Sequence, residues 1–175
     1  MFIFMIIIYV FTGVSFILLL LTGLQGYLGF TVLGVNHPTL GFLTAIIYLF
    51  TEVMVMFFFV GTGISIKEYI HDQNGDPQLH ARSIAIKRKL YPPTLLNVLL
   101  VMAVFIVGGG VDTNVIPAWI HNILFLTAIG HFAITIRKQH TCFKENTVLV
   151  LKMVNISPNS DKAVPQASLR ENQKS

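Results

Sequence analysis

Glu52 and His131 stand out as residues able to do chemistry, because each lies deep in a stretch of chain otherwise cleared of charge. Glu52 follows Pro38 by 14 residues and His131 follows Pro117 by 14. At 1.5 Å per residue both side chains are expected roughly 21 Å along their helices, at a common depth. A carboxyl and an imidazole meeting there could carry a proton or clasp a ligand, and pairing would avoid an isolated charge in apolar surroundings. Tyr48 lies one turn from Glu52, and Thr127 and Thr135 flank His131 at i−4 and i+4, so a polar stripe is expected to face into the bundle. The plainer alternative is a neutral Glu52 that hydrogen-bonds a neighbour and only fixes helix packing.

His37, just before Pro38, and His121, two residues after Trp119, form the second candidate. They fall at the entrances of two apolar stretches, on one side of the expected bundle. Two histidines at matching depth are what bis-histidine ligation of haem b requires, since haem iron accepts axial imidazoles. The competing reading is two solvated interfacial histidines. His121 and His131 are ten residues apart, ~15 Å along a helix axis, so they cannot share one metal ion. The single cysteine, Cys142, excludes an intramolecular disulfide, an iron–sulfur centre and a Cys-rich zinc site. His71, His80 and His140 lack regular ligand spacing, and no metal site is expected from them. HExxH, GxxxxGK[ST] and a Ser–His–Asp set are absent, so the chain is not expected to be catalytic on its own.

The elements that must position these groups follow from composition. Of 175 residues, 54% are apolar and 11% charged, where soluble domains carry about a quarter charged residues. Glu52 is the only Asp, Glu, Lys or Arg in residues 1–66, and Asp112 the only one in 93–136. Such clearing is what a bilayer demands of a spanning helix of about 20 residues. The expected fold is an all-α integral membrane protein with four transmembrane helices in an up-down bundle, with spans at about 2–21, 39–66, 93–110 and 118–136. The first is read as a spanning helix and not a signal peptide, because no Lys or Arg precedes the apolar run and no A-x-A site follows it. Its exit is expected at the glycines Gly23, Gly26 and Gly29. The third is expected to start at Pro92-Pro93, with Pro at the first helical position, and to end at Gly108-Gly109-Gly110, glycines that could also admit close helix approach. A short interfacial helix is expected in the middle loop, after Asp76-Pro77. Residues 1–156 then make one transmembrane domain, and 157–175, rich in Ser, Pro, Asn and Gln, a disordered tail.

All 12 Lys and Arg fall between the second and third spans or after the fourth. By the positive-inside rule both termini are expected on the cytoplasmic or equivalent side of a bacterial inner or organellar membrane. Arg82, Lys87, Arg88 and Lys89 are expected to meet anionic lipid headgroups, which explains the net charge of +4 without nucleic acid. With no large extramembrane segment, the leading expectation is a small subunit of a larger membrane complex, bound to other membrane subunits and supporting electron or proton transfer. A self-contained haem b or quinone-binding protein and a small oligomeric carrier or channel are the alternatives.

Overall fold

The computed structural model describes residues 2–32 and 34–156, which form four α-helices joined by short turns: α1 (Phe2–Leu28), α2 (His37–Gln73), α3 (Gln78–Asp112) and α4 (Ala118–Ile156). Each is long and apolar enough to cross a membrane. No strand is formed among the described residues beyond an isolated bridge between Val32 and Val35 in the first connection. The tail expected at 157–175 lies outside the described residues. The 37 residues of α2 reach about 55 Å against a hydrocarbon core of about 30 Å. Crossing such a layer would use only part of α2, and the charges that begin at Lys67 and Glu68 lie toward its C-terminal end.

Local chemistry explains the ends of α2. Asn36 caps its start by accepting a hydrogen bond from the Thr39 amide at 3.1 Å, with Pro38 in the first turn. Asn74 stops it in the left-handed region at φ 48°, and its amide donates back to the Ile70 carbonyl. The third helix corrects the sequence reading. It begins at Gln78 and runs through Pro92 and Pro93, so the expected interfacial helix is the first part of α3. Two prolines deprive the Arg88 and Lys89 carbonyls of their helical donors. Leu90 and Thr94, both fully buried on either side of the pair, hold the helix on course through packing. The other boundaries were also too short. α1 passes through Gly23 and Gly26 to Leu28, and α4 continues beyond Arg137 because its buried face carries on through Gln139, Phe143, Asn146 and Leu149.

Side-chain pairs give the order of packing. Ser15 meets Thr51 and Thr22 meets Thr44, so α1 and α2 run in opposite order. Lys89 with Glu145 and Asn97 with His131 give α3 and α4 the same relation. α2 and α4 instead share a direction: His37 meets His121, Tyr48 meets Phe132 and Phe59 meets Phe143, each pair 84 positions apart. The apolar core has two parts. One, toward the basic end, gathers Val55, Phe58, Phe59, Ile66, Leu90 and Phe143; the other, toward the histidine end, gathers Leu19, Tyr48, Val101, Ala128 and Phe132.

Candidate functional site

The constant offset between α2 and α4 brings His37 and His121 together at the first turn of each helix. Their ring centres are 6.2 Å apart and the rings are inclined at 80°. The His37 Nδ1 lies 3.0 Å from the Thr22 carbonyl, which orients that ring from α1. His121 is held toward the Val104 backbone, and its buried Nδ1 has no partner. Both rings border a cavity of about 600 Å³ at the end of the bundle, walled also by Leu19, Gly41, Val104 and Phe125. No Lys or Arg lines it.

Glycines make the room. A Cβ on Gly26 would stand 3.0 Å from the His37 Cε1, and one on Gly108 would stand 3.1 Å from the His121 Cε1. A Cβ on Gly23 would run into the Phe125 ring. The sequence reading took Gly23 and Gly26 as a helix exit and Gly108 as either a helix end or a place of close helix approach. Their role in the structure is to let aromatic side chains of facing helices lie against bare backbone. The signal was present in the spacing of glycines opposite two histidines, but it becomes legible only once the helices are paired.

Glu52 and His131 do not pair. Glu52 is fully buried and accepts a hydrogen bond from Gln139 Nε2 at 2.6 Å; the same amide nitrogen lies 3.4 Å from Thr94 Oγ1. His131 Nδ1 lies 2.9 Å from Asn97 Oδ1, and Asn97 Nδ2 donates to the Tyr48 hydroxyl at 2.7 Å. Counting from Pro38 and Pro117 sets residues 79 positions apart at one level, whereas the packed helices align at 84. The five-residue difference is about 7.5 Å along the axis, more than a full turn. The loop before α4 therefore stands farther out than the one before α2.

The supporting residues divide in the same way. Tyr48 joins the His131 group through Asn97, and Thr135 lies 3.4 Å from His131 Nδ1 and donates to the His131 carbonyl at 3.0 Å. Thr127 does not join; it is exposed and donates to the Ile123 carbonyl at 2.9 Å. His131 sits at the edge of the buried face of α4. One turn in either direction rotates about 40°, which carries Thr135 inward and Thr127 outward. Asn97, Gln139 and Thr94, all nearly or fully buried, were missed. Amides in apolar spans are themselves a signal, because each needs a partner in the bundle.

Two of the buried polar atoms without a partner lie on either side of an aromatic layer. Glu52 Oε1 has no partner, and neither has Asn146 Nδ2, although Asn146 Oδ1 accepts from Thr62 at 3.3 Å. Between these groups lie Phe59 and Phe143, with ring centres 5.0 Å apart. The polar side chains around Glu52 and His131 are thus separated by an aromatic layer from the polar pair nearer the basic end. No known protein family, no curated protein and no solved structure matches this chain.

Proposed function

We propose that this chain is a membrane-embedded b-type haem protein that passes electrons, and that His37 and His121 would hold the iron. The observation that carries this reading is the meeting of two imidazoles, from parallel helices, across a cavity. The two rings, with centres 6.2 Å apart, are close enough for both to reach one iron atom. Among the described residues no three metal-ligating side chains cluster. Two imidazoles suit a metal that brings its own equatorial ligands, which haem iron does. A cavity near 600 Å³ is in the range of pockets for cofactor-sized molecules, about 300–1,000 Å³.

The residues would act as follows. The Thr22 carbonyl fixes the tautomer and direction of His37, the usual way a ligating imidazole is oriented from behind. Gly26 and Gly108 let both rings lie close to the backbone of neighbouring helices. Carboxylates on the ligand would have to reach water, since no cation lines the cavity. The haem would supply one-electron transfer. A chain with one such site has to exchange electrons with other proteins, which supports the reading of this chain as a subunit of a larger membrane assembly. The distribution of Lys and Arg supports an up-down bundle with the histidine end facing outward and both termini on the basic side.

The test is spectroscopic. Chain purified in mild detergent and supplied with hemin should bind one equivalent with the absorption of six-coordinate low-spin haem. His37→Ala and His121→Ala should each abolish that spectrum while the helical content remains. Failure of the wild-type chain to bind, or low-spin spectra unchanged in both variants, would reject the assignment.

A further inference from the structure

At the opposite end of the bundle, α3 and α4 enclose a groove of about 460 Å³. On α3 its wall is Arg82, Ala85, Ile86 and Lys89, at the i, i+3, i+4, i+7 spacing of one helix face. On α4 the matching stripe runs from Lys144 to Lys152 and includes Glu145, Val148 and Leu149. Four cations and one carboxylate leave a surplus of three positive charges. Lys89 binds both Glu145 oxygens at 3.1 Å, so the acid is already engaged. Arg82, Lys144 and Lys152 form no ion pair among the described residues. Between the cations the floor is apolar.

Depth matters as much as charge. Lys89 precedes Asp112 by 23 residues, about 34 Å along α3, so it stands near the hydrocarbon boundary if Asp112 stands near the other. Arg82 lies two turns farther out. The groove therefore opens at headgroup level, with cations at both of its ends and apolar side chains between them. We propose that it binds an anionic phospholipid carrying two negative charges, with its phosphates among Arg82, Lys144 and Lys152 and its glycerol backbone against Ala85 and Val148. The set differs from the one expected from sequence: Lys87 packs on Gly63 of α2, and Arg88 is not part of the groove lining. This site is independent of the histidine cavity.

The test uses the intact chain in phosphatidylcholine nanodiscs titrated with cardiolipin, read by native mass spectrometry of the released protein. One cardiolipin should be retained, whereas added phosphatidylcholine is lost. The triple variant Arg82→Gln, Lys144→Gln, Lys152→Gln should bind about 100-fold more weakly, roughly a factor of five for each cation near the surface. Lys144→Arg with Lys152→Arg should bind like wild type, which separates lost charge from lost folding. Lys67→Gln with Arg137→Gln removes exposed cations elsewhere and should leave retention unchanged. Three results would overturn the proposal: an equal loss from that control pair, which means diffuse attraction; equal retention of phosphatidylcholine; or displacement of cardiolipin by inorganic pyrophosphate at comparable concentration, which means a soluble-anion site.

Discussion

Replacing Gln139 by Leu tests the interior most sharply, because Gln139 is the only side chain that donates to Glu52 among the described residues. Glu52 is fully buried, and its second oxygen already lacks a partner. Losing the 2.6 Å bond would leave the whole carboxyl unsatisfied. An orphaned buried polar group costs about 1–3 kcal/mol in soluble proteins. Pairs inside membrane bundles average about 0.6 and reach about 1.7 kcal/mol, because the separated helices also find partners. For a short bond in a closed interior we expect the upper part of that second range, about 1–2 kcal/mol. Glu52→Leu should cost a similar amount by stranding the Gln139 amide on Thr94 alone. The double variant removes both polar ends and should cost much less than the sum, giving a coupling of about 1–2 kcal/mol. The measurement is reversible unfolding in mixed micelles, followed by circular dichroism for the wild type and the three variants. A parallel cycle of Glu52→Leu with His131→Leu should be additive, since the two side chains bond to different neighbours. Additivity of Glu52 with Gln139, or coupling above about 0.5 kcal/mol between Glu52 and His131, would refute the assignment of partners.

Gly26→Ala and Gly108→Ala should each weaken hemin binding by about tenfold or more, as crowding of the His37 or His121 ring forces the site apart, while Gly13→Ala, which meets nothing within 4 Å, should not; optical titration decides. Tyr48→Phe deprives Asn97 Nδ2 of its acceptor and should lower stability by about 1 kcal/mol, read as a shifted unfolding midpoint; an unchanged midpoint would remove that bond from the account. Cysteines placed at Asn74 and Asn114, in a Cys142→Ala background, should be labelled from opposite faces of sealed vesicles, and labelling of both from one face would overturn the topology.

The sequence was most legible where the bilayer's demands are strictest. Charge clearance located all four helices, and the unusual acid at Glu52 was recognisable because nothing else in that stretch could solvate it. His37 and His121 were found as a candidate pair because both lie near the starts of apolar runs. What sequence spacing could not supply was the axial register between α2 and α4, which depends on how far each loop extends. That error alone exchanged Gln139 for His131 as the partner of Glu52. Gly23 and Gly26 were misread for a related reason: a missing Cβ looks like a helix break until a ring from another helix fills the space. Pro92 and Pro93 carried the opposite lesson. Local propensity argued for a boundary, and the continuing buried face of α3 overrode it.

The proline pair has a mechanical consequence. A helix missing two successive rungs of its ladder, at the Arg88 and Lys89 carbonyls, bends more easily there than anywhere else along its length. That compliant point lies beside Lys89, where the groove of α3 and α4 begins, and 16 residues from Gly108, about 24 Å from the histidine cavity. The segment of α3 that carries Arg82 is nonetheless anchored before that point by Leu79, Ser83 and Ile86 and after it by Thr94 and Asn97, all buried. Trimming any of these side chains should therefore cost this stretch more than an uninterrupted helix would lose, because no backbone bond stands in reserve at the gap.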